Sequence, residues 1–322
     1  MNMKNKIDVL SRLSGEMKEV LRIQAEMAKD AFDTTGLSTQ AIRENYTRER
    51  AYWNQGGPVM TRTQDIMVPF EGRQIKTRIH CPNNKPVNPC IFYIHGGGMV
   101  VGNLDTHDRI MRLLAHHADC IVAGIDYSLS PEAKFPTALL ECAAVVRFYR
   151  ARAAEYGIDP DKMGLGGDSA GANLSLTTTL WLRDREADTS YIRGLLLYYG
   201  IYGMMDSRSG RLYGGPWDGL SEEDLQYYAD MYFAKPEDVK SPYYSAYEND
   251  LTHRIPPCFI LGAEYDPLLD DSTALYSILK EKGTNCVYRE YKGVLHAFLH
   301  YSRVMKAAED ALREGGEFFK NA

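Results

Sequence analysis

Several features are scarce or missing in this 322-residue sequence, and each shortage excludes a class of protein. No apolar run approaches the roughly 18 residues that a membrane-spanning helix needs. The first residues, Met1 to Lys6, are polar. No apolar stretch with a small-residue cleavage site follows them, so the expectation is a chain without a secretory signal. Lysine and arginine number 37 against 43 acidic residues, a net charge of −6, which excludes the basic footprint of a nucleic-acid binder. The six cysteines (Cys81, Cys90, Cys120, Cys142, Cys258 and Cys286) are scattered, form no C-x-x-C, and mostly fall in strand-like runs. That pattern argues against a disulfide framework or a metal site and for buried, reduced thiols, which together with the polar amino terminus points to the cytoplasm. Repeats, low-complexity tracts and disordered linkers are absent as well.

What is present is an ordinary globular balance, 44% apolar and 25% charged, in a chain long enough for one large domain or a domain with a cap. Residues 7 to 32 place Leu10, Leu13, Met17, Val20, Met27 and Ala31 at helical spacing, and Gly36 breaks the pattern. Ser38 or Thr39 caps a second helix through Ile42, Tyr46 and Trp53, ended by Gly56-Gly57-Pro58. Residues 1–60 therefore read as a helical cap segment, and 61–322 as the catalytic domain.

That domain opens with a hairpin, Thr63 to Pro69 and Gln74 to Cys81, and continues with an apolar strand at Cys90 to Ile94. Helices and strands then alternate: a helix from Thr106 to Ala118, a strand from Cys120 to Asp126, a helix from Pro136 to about Glu155, a strand from Lys162 to Gly167, a helix from Asn173 to Arg183, and a strand from Arg193 to Tyr199. Residues 203 to 250 break the alternation and include a helix-like piece from Glu222 to Phe233; a cap insertion is expected at about 203–240. The last strands are Cys258 to Gly262 and Cys286 to Tyr291, with helices near 271–282 and 301–320. This alternation predicts an α/β fold with a mostly parallel central sheet and helices on both faces.

The chemistry centres on Gly167-Asp168-Ser169-Ala170-Gly171, a G-x-S-x-G between a strand and a helix. Such a turn lifts its serine above the sheet edge and sets it at a helix N-terminus, where free N–H groups favour negative charge. A serine hydroxyl needs a base to take its proton, and the base needs an acid to orient it. In chain order after the serine, Asp266 follows one late strand and His296 follows the next, so these three are the candidate catalytic residues. Glu264, Asp270 and Asp271 compete for the acid role, but Asp270 and Asp271 fall where a helix begins and read as caps. His107, His116 and His117 read as surface residues near an early helix, and His253 as a loop residue. His300 lies four residues after His296, but no third ligand cluster accompanies the pair, so no metal is expected. His95-Gly96-Gly97-Gly98 follows a buried strand and suits an oxyanion hole, because glycine lets backbone N–H groups approach a substrate oxygen.

These motifs, with Asp266-Pro267-Leu268, His296-Ala297-Phe298 and Asp126-Tyr127-Ser128-Leu129-Ser130-Pro131-Glu132, resemble the hormone-sensitive-lipase-like family of α/β hydrolases over nearly the whole chain. Gly102 to Ile110, Trp217-Asp218-Gly219-Leu220 and Leu295 to Arg303 are similar to the acetyl-esterase group within it. The resemblance implies an α/β-hydrolase fold with a helical cap and a cytoplasmic serine carboxylesterase for short acyl chains, acetyl to about octanoyl, without cofactor. It implies Gly97, Gly98 and Ala170 as oxyanion donors, with His95 shaping their loop; Gly96 is included in that candidate set. It also implies binding to a maltose-system transcription activator and an α-galactosidase, with no surface assigned to either. Two residues depart from the family pattern: Met99 stands where an aromatic is usual, and Ser128 where an arginine is usual.

Aromatic residues crowd the expected cap, among them Tyr202, Tyr213, Trp217, Tyr227, Tyr228 and Tyr232. Met99, Trp217 and Tyr202 are candidate pocket residues for a small acyl group, although the aromatics could equally be cap core or a homodimer surface. The substrate expected is a small ester, with neither nucleic acid nor membrane as partner. An amidase or deformylase on the same triad, or a mainly regulatory binding protein, are the alternative readings.

Overall fold

A computed structural model describes residues 5–28, 38–215 and 220–322. Helix α1 (Gly15–Ala28) and α2 (Thr39–Trp53) precede the hairpin β1 (Arg62–Phe70) and β2 (Arg73–Cys81). Then come β3 (Asn88–Ile94), α3 (Asp108–Ala118), β4 (Ile121–Asp126), α4 (Thr137–Ala151), the single turn α5 (Ala153–Tyr156), β5 (Ile158–Asp168), α6 (Ala170–Arg183) and β6 (Ile192–Tyr198). The insertion carries α7 (Arg208–Leu212) and α8 (Glu222–Tyr232), and the chain closes with β7 (Cys258–Tyr265), α9 (Leu269–Glu281), β8 (Cys286–Leu295) and α10 (Lys306–Lys320).

The first helix starts later than its apolar spacing predicts. Leu10 to Arg12 form a 3-10 turn, and α1 begins only after Ser14, whose Oγ accepts the Met17 N–H at 3.1 Å. A polar cap sets the start, because the side-chain oxygen satisfies an N–H that lacks an intrahelical partner. Ser38 caps α2 in the same way through Ala41 N. Residues Ala31 and Gly36, which the helical pattern also used, lie outside the described residues.

Among the described residues, eight strands form one sheet in the order β1-β2-β4-β3-β5-β6-β7-β8. Pairs β1–β2 and β2–β4 are antiparallel, and every later pair is parallel. Because side chains alternate along a strand, β3 feeds two cores. Cys90, Phe92 and Ile94 enter the layer shared with α4, α6 and α9, whereas Ile91 and Tyr93 enter the layer shared with α3 and α10. The second layer also takes Val9, Leu13, Met17, Val20 and Trp53, so the amino-terminal segment packs on the sheet's own core. The order runs from β3 outward to β4, then returns to the other side of β3 with β5. This reversal opens a crevice at the carboxyl ends of β3 and β5, the place where open α/β sheets put their sites.

All six cysteines are free, five buried and Cys286 partly so. Among the described residues, no helix is long and apolar enough to cross a membrane.

Candidate active site

The β3–β5 register puts Ile94 opposite Gly167, so the loop after β3 and the turn after β5 leave the sheet side by side. Ser169 is held at φ 54° and ψ −121°. A non-glycine residue in this region costs of order 1–3 kcal/mol, a strain the surrounding contacts must offset. Its flanks have no room for side chains: a Cβ at Gly167 would lie 2.2 Å from the Ile94 carbonyl oxygen, and one at Gly171 1.9 Å from the same atom. The glycines of the motif are thus required by the close approach of β3.

The structure brings the three sequence candidates together. His296 Nε2 lies 2.9 Å from Ser169 Oγ, and its Nδ1 lies 2.7 Å from Asp266 Oδ2. Asp266 is fully buried, and its other oxygen accepts the Leu268 N–H at 2.8 Å. The Tyr199 ring meets His296 edge-on at 5.0 Å, a positioning contact that the sequence did not disclose. The rival acids do other work. Glu264 accepts the Gly293 N–H at 2.7 Å, and Asp270 accepts the Ser209 N–H at 2.8 Å. Asp271 accepts the N–H groups of Tyr202 and Met204 at 2.7 and 3.1 Å. Asp270 and Asp271 therefore tie down the start of the insertion rather than cap α9.

Among the described residues, the N–H groups of Gly97 and Gly98 have no protein acceptor, and Ala170 is the first residue of α6, at its electropositive end. Gly96 differs, and here the sequence expectation is corrected: its N–H donates to Asp168 Oδ1 at 3.1 Å and cannot serve an oxyanion. His95 shapes the loop from below. Its ring stacks on Tyr127 with centroids 4.3 Å apart, and its Nδ1 lies 2.9 Å from Gly96 O. Burial, with the nearby His107 ring, pushes its pKa down to about 3, so the imidazole is neutral.

Asp168 joins the two motifs. Tyr93 Oη donates to Oδ1 at 2.8 Å, and His107 Nε2 lies 3.4 Å from the same oxygen. Burial opposes ionisation, but the neighbouring imidazoles of His107 and His300 and the hydroxyl of Tyr93 outweigh it and hold the carboxyl well below the usual range. His107 is completely buried, against the expectation of a surface residue, because it plugs the space under Asp168; His116 is exposed. His300 packs on His107 rather than beside His296. His107, Asp168 and His300 hold their ligand-capable atoms within 4.8 Å of one another, a grouping that only the fold creates.

Ser169 opens into a cavity of about 50 Å³. Met99 lines it, as expected, together with Ile201, Leu225, Tyr228, Tyr232 and Leu268. Tyr202 does not, and its assignment to the pocket is corrected: Asp271 fixes its N–H, and its side chain is buried in the core while Ile201 before it faces the cavity. Trp217 lies outside the described residues. Helix α8 roofs the site, capped by Ser221 and Asp224, with Tyr228 against Gly98 so closely that a Cβ there would meet the ring at 2.4 Å. Ser128, in place of the usual arginine, gives its N–H and Oγ to the buried Glu141 carboxylate at 2.6 and 2.8 Å, and Arg73 from β2 supplies the cation at 3.2 Å.

A family model described as the alpha/beta hydrolase fold matches residues 91–300. Among similar solved structures is a hyperthermophilic esterase from the archaeon Pyrobaculum calidifontis, 29% identical, with a TM-score of 0.89 over 96% of this chain and 98% of that one. EstE1, a thermophilic carboxylesterase cloned from a metagenomic library, is 28% identical, with a TM-score of 0.86 over 90% and 99%. An arylesterase is 28% identical, with a TM-score of 0.85 over 96% and 99%. The chain belongs to the hormone-sensitive-lipase-like family of α/β hydrolases. It is a carboxylic ester hydrolase of that family.

Proposed function

We propose that the protein hydrolyses esters of short acyl chains, acetyl foremost, through an acyl-enzyme on Ser169. The observation that carries this is the unbroken chain Ser169 Oγ to His296 to Asp266, at 2.9 and 2.7 Å, beside the free N–H groups of Gly97 and Gly98. His296 Nε2 takes the serine proton as Oγ attacks the ester carbonyl, and Asp266 fixes the tautomer and stabilises the imidazolium. The oxygen that gains charge turns toward Gly97, Gly98 and Ala170. The imidazolium then protonates the departing alcohol. A water activated by the same nitrogen releases the acid and restores Ser169.

The small inner cavity supports a short acyl group, since it is closed by α8 and lined by bulky side chains. The segment before α1 is tied to the insertion, which supports the two acting together as the cap: Lys6 Nζ donates to Gly210 O and Tyr213 O, and Ile7 N donates to Leu212 O at 3.0 Å. Six free thiols support a reducing, cytoplasmic setting.

The test is hydrolysis of p-nitrophenyl acetate, butyrate, octanoate and laurate by the purified protein beside Ser169→Ala. Turnover concentrated on the short esters and abolished in the variant is expected. A folded wild type that turns over none of them overturns the reading and moves the weight to amide substrates or to a binding role.

A further inference from the structure

The loop after β3 follows a costly backbone path. Gly97, Gly98 and Met99 take φ values of 114°, 62° and 59° in succession, and Met99 lacks the freedom of a glycine. Such a path keeps its shape only where neighbours hold it. Within the turn, Gly97 O accepts the N–H groups of Val100 and Val101, each at 3.0 Å, and Met99 O accepts the Ser130 N–H at 2.8 Å. Val100 and Ser130 are both completely buried, and their own carbonyls turn to one side chain. Arg43, on α2, donates from Nε to Val100 O at 2.8 Å and from Nη2 to Ser130 O at 2.7 Å. Among the described residues no other donor reaches either oxygen.

We propose that Arg43 is a positioning residue for ester hydrolysis: from a helix of the N-terminal segment it holds the loop so that the Gly97 and Gly98 N–H groups meet the oxygen that gains charge. The proposal rests on the reading of those two N–H groups as oxyanion donors.

The guanidinium suits this task because its donors are fixed in one plane. The edge carrying Nε and Nη2 bridges the two carbonyls, while Nη1 and Nη2 meet the Glu132 carboxylate at 3.0 and 2.7 Å. A lysine has no such fork. The two sides of the guanidinium differ in worth. The Arg43 side chain is only 17% exposed, whereas Glu132 is 63% exposed, so the ion pair faces water and is weak. The carbonyl bonds face inward, and losing them leaves two buried acceptors without a donor. The Val100 and Ser130 segments then shift toward water, and the glycine N–H groups shift with them through Gly97 O and Met99 O. Charge on the substrate oxygen is largest in the transition state, so the displacement falls on kcat rather than KM. A plain structural brace would instead lower the melting temperature and leave the kcat of folded enzyme unchanged.

The experiment measures kcat and KM on p-nitrophenyl acetate for the wild type, Arg43→Met, Arg43→Lys, Glu132→Gln and Ser169→Ala, with thermal unfolding in parallel. The inhibition constant of trifluoroacetone is measured beside them. Its carbonyl carbon bonds to Ser169 Oγ, the serine proton passes to His296, and the carbonyl oxygen becomes an oxyanion where the donors lie. Arg43→Met keeps the length of the side chain and removes its donors. It should lose about 10² in kcat with KM within about twofold, the effect of a misplacement near 1 Å. The trifluoroacetone constant should rise with that loss, and Glu132→Gln should stay within about threefold of wild type. A folded Arg43→Met enzyme with kcat within about threefold of wild type overturns the proposal. So does a loss of kcat that leaves the trifluoroacetone constant unmoved, or an equal loss in Glu132→Gln. If Arg43→Met does not fold, Arg43→Lys is judged by the same criteria. The ester-hydrolase reading survives any of these failures when the wild type is active and Ser169→Ala abolishes turnover. A folded wild type without turnover overturns both.

Discussion

Asp266→Asn tests the site at its least visible member. Asp266 Oδ1 accepts the Leu268 N–H at 2.8 Å, and Oδ2 faces His296 Nδ1 at 2.7 Å. An asparagine has one oxygen for these two places. The backbone N–H of Leu268 cannot become an acceptor, so the amide oxygen stays with it and the amide NH₂ turns to His296. Nδ1 must then accept a hydrogen bond, which puts the imidazole proton on Nε2, facing Ser169. In that tautomer His296 cannot take the serine proton. The shape and packing of the site are otherwise kept, so the loss should fall on kcat rather than KM. A wrong tautomer of this kind costs about 10⁴ in kcat. That is about 5.4 kcal/mol, well above the ~1.5–3 kcal/mol of one hydrogen bond to a charged group. The assay is steady-state hydrolysis of p-nitrophenyl acetate, with thermal unfolding followed in parallel to show that the variant is folded. A folded Asp266→Asn protein that keeps more than a tenth of wild-type kcat would refute the tautomer argument and point to Asp266 as a packing residue.

Three other outcomes are expected. Gly98→Ala should lower kcat by ~10²–10³ with KM little changed, because its Cβ would meet the Tyr228 ring and push the oxyanion loop off position; wild-type kcat in this variant counts against Gly98 as a donor. Met99→Ala should raise the butyrate-to-acetate ratio of kcat/KM about tenfold, since the space freed admits two more methylenes at ~0.8 kcal/mol each, and an unchanged ratio removes Met99 from the acyl pocket. Burial pushes the Asp271 pKa up to about 7, against the N–H groups that favour its charge. Below about pH 4 folded and unfolded chains are both protonated there; between about 4 and 7 only the unfolded chain ionises, so stability falls as pH rises through that window. Asp271→Asn should therefore lose less melting temperature than the wild type between pH 5 and pH 8, and an equal loss in the two proteins would show that another group sets the dependence.

Much of the molecule can be read locally. The strand and helix alternation follows from apolar runs and capping residues a few positions apart, and the hairpin follows from Glu71-Gly72. The elbow is legible because two glycines flank a serine between a strand-like and a helix-like run, although the close approach that requires those glycines comes from Ile94 of β3. Asp266 and His296 are legible because each comes after a late strand, and parallel strands deliver such residues to one edge of the sheet.

Orientation across the fold is a different matter. Tyr202 and Ile201 are neighbours in sequence, yet only Ile201 faces the cavity, because a carboxylate 69 residues away holds the Tyr202 N–H. Gly96, Gly97 and Gly98 are equivalent as letters. Asp168, brought beside them by the β3–β5 pairing, takes the N–H of Gly96 and leaves the other two free. A hint was available, since two motifs that each follow adjacent parallel strands must meet, but it does not say which hydrogen bond forms. His107 sits at the N-cap of the helix whose last turn carries the exposed His116, and its place beneath Asp168 buries it. The sequence determined the elements, the nucleophile and the order of its helpers, because those depend on residues close along the chain. The tertiary structure decided which N–H groups remain for an oxyanion, which side chains wall the cavity and which histidines brace Asp168, because each depends on a partner that is distant in the chain and near only after folding.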